Sequence, residues 1–172
     1  MLRPILLATT LLALPASAFA AAHGEKPDPV TVTLKGPDGA DHGTVTLTQM
    51  DGVVLLHADL KGLPEGAHGF HIHENGTCAP DFAAAGGHYN PDGKEHGFAG
   101  EGPHAGDMAN LFATAAGDVM ADVLNPRVSL VEGHDHTLFD ENGSAIIIHE
   151  KADSYGKDAG AGGRIACGVI ER

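Results

Sequence analysis

The sequence predicts an all-β sandwich or barrel, and three observations carry that prediction. Several runs alternate apolar and polar residues with a period of two. Turn signals such as Asp51-Gly52 and Asn142-Gly143 separate them. Beyond residue 20 no stretch holds a 3.6-residue apolar period over three turns, and the nearest, residues 109–120, is weakened by Gly117.

Taken in order, the chain opens on an address. Arg3 supplies a positive start, residues 5–14 form a short apolar run, Pro15 breaks it, and Ala18-Phe19-Ala20 makes a small-x-small cleavage site. The run is too short to span a bilayer, which takes about 20 apolar residues. Residues 1–20 therefore read as a secretory signal peptide, 21–28 as a flexible leader, and 29–172 as one domain. Export implies an oxidising compartment, so Cys78 and Cys167 are candidates for a disulfide.

Val30, Val32 and Leu34 alternate with Thr31, Thr33 and Lys35, the pattern of a half-buried strand. Val45 and Leu47 alternate with threonines, and the run at 53–60 follows the Asp51-Gly52 turn, which together read as a hairpin. Residues 69–73, 128–131, 145–149 and 165–170 are further strand candidates. The stretch 74–111 is different: it is rich in Gly, His and Asp and lacks alternation. A loop that long in one domain needs something to order it, and its composition points to a metal.

Composition limits the function. Of 172 residues, 10 are Lys or Arg and 23 Asp or Glu, a formal net charge of −13. Loss of Arg3 with the signal peptide makes the mature chain one unit more negative. Such a balance excludes a nucleic-acid binder or a docker onto anionic membrane, both of which need basic surface. The 12 histidines are many for this length, whereas 2 cysteines are too few for a Cys₄ zinc site.

The histidines fall into a pattern. His71 and His73 flank Ile72, and on a strand residues two apart share a face, so two imidazoles can reach one ion while Ile72 packs inward. Imidazole suits copper, zinc, nickel and iron. His88, His96 and His104 follow, with Asp107 three residues after the last, and three His with one Asp match a closed zinc site. His149 ends the run Ile146-Ile147-Ile148, where it reads either as a core residue or as a ligand. Arg164 stands before the last strand candidate and suits a small anion.

Gly69-Phe70-His71-Ile72-His73-Glu74, Gly87-His88-Tyr89-Asn90-Pro91, Lys94-Glu95-His96-Gly97, His104-Ala105-Gly106-Asp107, Ile148-His149-Glu150-Lys151 and Gly163-Arg164-Ile165-Ala166-Cys167-Gly168 occur in that order. Together they resemble the copper-zinc superoxide dismutase family over nearly all of the mature chain. The resemblance implies a flattened, immunoglobulin-like, eight-stranded Greek-key β-barrel or sandwich with long metal-binding and active-site loops, an architecture of which this enzyme is itself a standard example. It implies copper on His71, His73, His88 and His149, and zinc on His88, His96, His104 and Asp107, with His88 bridging the two. Cys78 and Cys167 match the family's disulfide pair. Asp153 matches a carboxylate that orients His71 and His96, and His68 matches a structural, non-ligand histidine. The implied reaction dismutes superoxide to oxygen and hydrogen peroxide by a cycling copper, with Arg164 guiding the anion and His88 handling a proton.

The segment between Cys78 and His88 is longer, and that between His149 and Arg164 shorter, than in the eukaryotic branch. Both features, with the signal peptide, resemble the bacterial periplasmic branch, and they imply a periplasmic protein defending the cell envelope, as a monomer or homodimer. An overall negative enzyme with an anionic substrate needs a local positive funnel, and steering of superoxide is a documented property of such enzymes. Lys94, Lys151 and Lys157 are the candidates. A copper and zinc carrier on the same barrel would need neither Arg164 nor the shared His88; an adhesion-type sandwich would need none of the ligand motifs; a copper-only relative would not keep His96, His104 and Asp107. His134 and His136 read as surface-loop residues, and His42 and His57 as turn or strand-face residues. With cleavage after Ala20, Ala21-Ala22-His23 would form a square-planar chelate for Cu(II) or Ni(II).

Overall fold

The computed structural model describes residues 26–172. The predicted signal peptide and the leader up to residue 25, with His23, lie outside the described residues. The alternation read from the sequence becomes nine β-strands: β1 (Val30–Lys35), β2 (Asp41–Met50), β3 (Val53–Leu60), β4 (Gly66–His68), β5 (Phe70–His73), β6 (Leu111–Ala113), β7 (Val119–Asn125), β8 (Ser144–His149) and β9 (Arg164–Ile170). The only helical element among the described residues is a short 3₁₀ turn, Phe82–Ala85, capped by the Asp81 side chain. No helix among them is long and apolar enough to cross a membrane.

Seven strands form one antiparallel sheet in the order β5-β8-β9-β1-β2-β3-β7, and β4 pairs with β6 in a second, two-stranded sheet. The neighbours that are not consecutive, β5 beside β8, β9 beside β1 and β7 beside β3, are the crossovers of a Greek-key layout. β4 and β5 are separated only by Gly69, whose N–H goes to the Lys151 carbonyl and whose carbonyl takes the His149 N–H. Counted as one strand that changes partners at Gly69, the set is the expected eight.

Strand faces follow the sequence pattern. Val30, Val32 and Leu34 are buried while Thr31, Thr33 and Lys35 face out, and Val54, Leu56, Ala58 and Leu60 continue the core on β3. β8 is buried at every position because both its faces are covered. Ile146 and Ile148 enter the main core with Phe70 and Ile72 of β5. Ala145 and Ile147 face the other way, against Ala85, Cys167, Cys78 and Phe82. The Cys78–Cys167 disulfide, with an S–S distance of 1.98 Å across a separation of 89 residues, ties that covering loop to β9.

Three strands, β4, β6 and β7, escaped the sequence reading and one expected strand is absent. β6 lies where the chain came nearest to a helical period, and β7 starts at the end of that stretch. β7 does alternate, with Val119 and Asn125 buried, but its outward Met120 and Leu124 are apolar too, at 75% and 61% exposed, which erases the contrast. Residues 128–131 are not a strand: Val128 and Leu130 are buried, yet the segment makes one isolated bridge, Ser129 to Thr137, and the Leu130 N–H goes to the Gln49 side chain. Pro126, which cannot donate to a ladder, stands just before it.

Candidate metal centre

β5 is the open edge of the seven-stranded sheet, and the loop after it closes that edge. The Ile72 N–H donates to the Gly106 carbonyl at 2.9 Å and the Ile72 carbonyl accepts the Tyr89 N–H at 2.8 Å, while the Gly106 N–H donates to the Tyr89 carbonyl at 2.8 Å. Isolated bridges join His71 to Asp107 and His73 to His88. The close approach requires glycine at 106, where a Cβ would lie 2.1 Å from the Ile72 oxygen. Since Phe70 and Ile72 pack inward, His71 and His73 stand on the other face. His149 joins them from β8, whose ladder puts Ile147 opposite His71. A bulge sets the far end: Ile148 pairs with Ala166 but His149 with Arg164, so Ile165 is an extra residue that re-aims Arg164.

The histidine rings converge. His88 lies 4.0 Å from His71, 4.9 Å from His73, 5.1 Å from His96 and 5.5 Å from His104, between ring centroids. His71 and His149 are 4.8 Å apart. Ligand atoms of His71, His73, His88 and His149 all lie within 4.8 Å of one another, as do those of His71, His88, His96 and Asp107. The first group is the set read for copper. The second holds three of the four residues read for zinc, with His71 in place of His104. The fourth, His104, is adjacent: its Nδ1 is 3.4 Å from Asp107 Oδ1, and its ring lies 5.5 Å from that of His96.

The rings of His71, His73 and His149 are each aimed by one nitrogen, which leaves the other without a partner, whereas His96 has both engaged, Nδ1 with the Gly156 carbonyl at 2.7 Å and Nε2 with Asp153 at 3.0 Å. His71 Nε2 meets Asp153 Oδ2 at 2.6 Å, His73 Nδ1 meets the Gly86 carbonyl at 3.0 Å, and His149 Nδ1 meets the Gly162 carbonyl at 3.4 Å. A carbonyl only accepts, so His73 and His149 carry their proton at Nδ1 and present a bare Nε2. His71 Nδ1, His73 Nε2, His149 Nε2 and His104 Nδ1 are buried without any hydrogen-bond partner. Buried polar atoms are rarely orphaned, and four imidazole nitrogens facing two shared spaces suit borderline cations such as copper and zinc. His88 Nδ1 meets Asp107 Oδ1 at 2.7 Å.

The charge states agree with that chemistry. Burial, helped by the neighbouring His88, pushes His73 down to about 2. Burial, with His71 close by, pushes His149 down to about 4. Burial also lowers His71 and His104. At neutral pH these rings are the neutral bases that metals require. Burial works against the Asp107 carboxylate, but the His88 hydrogen bond and the Gly97 N–H outweigh it and hold the group well below the usual carboxylate range. Asp153 is likewise lowered against its burial, by the His71 hydrogen bond and the Tyr155 N–H.

Asp153 lies between the two groups, at 2.6 Å from His71 and 3.0 Å from His96. Asn110 brackets it, accepting the Asp153 N–H at 2.8 Å and donating to the Asp153 carbonyl at 2.9 Å. Arg164 is held by the carbonyls of Phe82 and Gly86, at 2.5 and 2.6 Å, on the loop anchored by the disulfide. Its charge is near enough to contribute to lowering both His73 and His149. His68 is buried between the carbonyls of His149 and Pro64 and belongs to neither ligand group.

Of the lysines read as a funnel, Lys157 is paired with Glu95 at 2.6 Å, and Lys94 and Lys151 are exposed. His134 and His136 lie outside both groups, His136 bonding Asp92 at 3.0 Å. His57 pairs with Asp122 at 2.6 Å on an exposed face, and His42 bonds the Lys61 carbonyl. Sequence reasoning named Asp153 but missed the other groups that aim the ligands. The carbonyls of Gly86 and Gly162 have no side-chain signature, and Asn110 looks like any loop asparagine.

Residues 41–170 match the family model described as copper/zinc superoxide dismutase. The chain is 46% identical over 142 residues to a protein named superoxide dismutase [Cu-Zn] 2 from Aquifex aeolicus, covering 80% of this chain and 83% of that one. It is similar to the crystal structure of a superoxide dismutase-like protein from Bacillus subtilis, at 40% identity and a TM-score of 0.77, covering 82% of this chain and 97% of that one. It is also similar to the copper/zinc superoxide dismutase structure from Brucella abortus, at 33% identity and a TM-score of 0.69, covering 84% and 100%.

Proposed function

The chain belongs to the copper/zinc superoxide dismutase family, whose members are oxidoreductases that use copper and zinc, and we propose that its own residues divide the dismutation of superoxide as follows. His71, His73, His88 and His149 hold copper; His88, His96, His104 and Asp107 hold zinc. Copper when bound supplies the one-electron cycle between two superoxide ions, and zinc, which does not change oxidation state, shapes the site. Two superoxide ions and two protons become one oxygen and one hydrogen peroxide.

Arg164 receives the anion, because its guanidinium keeps its charge and two carbonyls fix its direction. His88 keeps its Nδ1 on the Asp107 side, and its Nε2, whenever copper does not occupy it, would take up a proton from solvent and pass it to the departing peroxide. Asp153 keeps the rings of His71 and His96 turned toward their ions. The protein acts after export, in the periplasm, where the N-terminal apolar run and the disulfide both belong.

The observation that carries this reading is the set of orphaned, buried nitrogens on His71, His73 and His149, each opposite a nitrogen already engaged. It is tested by pulse radiolysis of superoxide with protein loaded with one copper and one zinc, beside the apo protein and His149→Ala. Fast decay that needs copper and fails in the variant is expected. Slow decay at full metal loading would overturn it in favour of a metal carrier.

A further inference from the structure

We propose that Arg127 is a positioning residue for the zinc site, clamping the Asp107 segment to the end of β7. The inference rests on the reading of His96, His104 and Asp107 as zinc ligands. No ligand motif contains Arg127; its place is visible only in the fold.

Arg127 Nη2 donates to the Asp107 carbonyl at 2.6 Å. Its own N–H goes to Asn125 Oδ1 at 2.9 Å, and Asn125 Nδ2 donates to the Ala105 carbonyl at 2.9 Å. Asn125 at the end of β7 and Arg127 just beyond it thus hold two carbonyls within the four-residue stretch from His104 to Asp107. The same guanidinium lies 5.8 Å from the centre of the Phe98 ring. Phe98 is two residues from His96, and its N–H is bonded to the Tyr155 carbonyl. Arg127 therefore touches both limbs of the loop that carries the zinc ligands.

The chemistry favours a role in geometry. An arginine donating to a carbonyl makes a charge-assisted bond with a fixed direction. Arg127 Nε is buried with no partner, so the group bears a desolvation cost that a solvated surface arginine avoids. Asp107 is 1% exposed, and its carboxylate takes the Gly97 and His104 N–H groups through Oδ2 while Oδ1 faces His88. Shifting its backbone would turn that carboxylate away from three histidines at once. The charge itself works the other way, since a cation near the site repels Zn²⁺. Positioning and repulsion therefore predict opposite signs for removal of Arg127.

The test uses the mature, disulfide-bonded protein and zinc competed against a chromogenic chelator. Arg127→Gln removes charge and fork; Arg127→Lys keeps the charge and loses the fork. Both are expected to bind zinc about tenfold more weakly, the usual cost of losing a partner of a metal ligand, with copper affinity within twofold of the parent. Co(II) bound in place of zinc should show altered visible bands in both variants. Unchanged or tighter zinc binding would overturn the proposal, as would equal weakening of both metals with an unchanged Co(II) spectrum, which marks a general loss of stability. If Arg127→Gln fails to fold, Arg127→Lys carries the same test. His104→Ala runs in parallel: if it keeps parental zinc affinity, the ligand assignment fails rather than the clamp.

Discussion

Replacing Gly106 with alanine tests how the long loop is joined to the barrel. The added Cβ would stand 2.1 Å from the Ile72 oxygen and 3.0 Å from the Tyr89 nitrogen, both backbone atoms that cannot swing aside. Relief requires the loop to back away from β5. Three hydrogen bonds then stretch or break: Ile72 N–H to Gly106, Gly106 N–H to Tyr89, and Tyr89 N–H to Ile72. At about 1 kcal/mol net each, the loss is about 3 kcal/mol. For a chain of this size that is a fall in Tm of about 6–12 °C. His104 and Asp107 lie on the displaced segment, so zinc affinity falls with stability. The assay is a thermal melt of metal-free protein followed by a zinc titration, with Gly163→Ala as control, where the new Cβ meets nothing closer than 3.6 Å. A Tm within about 2 °C of the parent, with zinc affinity retained, would refute the argument that the edge of β5 is sealed through this glycine.

Three further outcomes are expected. Replacing both cysteines with alanine should lower stability by about 2–5 kcal/mol in denaturant melts, since the closed loop is long; the same melt under reducing conditions should leave the variant unchanged. In the metal-free protein burial holds His73 at about 2 and His149 at about 4, below the ordinary 6.5, so below pH 6.5 both take up a proton on unfolding. Their contribution is fully present above pH 6.5 and is lost as pH falls toward those values, at a slope approaching about 1.4 kcal/mol per pH unit for each; equal urea midpoints at pH 7 and pH 5 would contradict the burial argument. Arg164→Glu should slow superoxide decay at least about tenfold while copper and zinc contents stay at parental levels, and a parallel loss of metal would remove Arg164 from the anion's path.

Legibility in the sequence followed contrast between faces. β1 and β2 could be read because their buried apolar residues alternate with threonines, whereas β7 was hidden by Met120 and Leu124. Residues 128–131 show the converse error, since Val128 and Leu130 are buried without a ladder. Burial marks what is inside, and only hydrogen bonding makes a strand.

The sequence by itself supplied the histidines and carboxylates of the candidate site. Imidazole and carboxylate are the groups that bind copper and zinc, and their order and spacing along the chain carry the resemblance to a family. Tertiary structure decided which nitrogen of each ring is free, and how the ligand segments are held. Those choices are made by the carbonyls of Gly86 and Gly162, by the loop that seals the edge of β5, and by Arg127 reaching Asp107 from just beyond β7. Backbone carbonyls are the same in every residue, so their placement leaves no mark in a sequence. It exists only once the chain has brought distant segments within hydrogen-bonding distance.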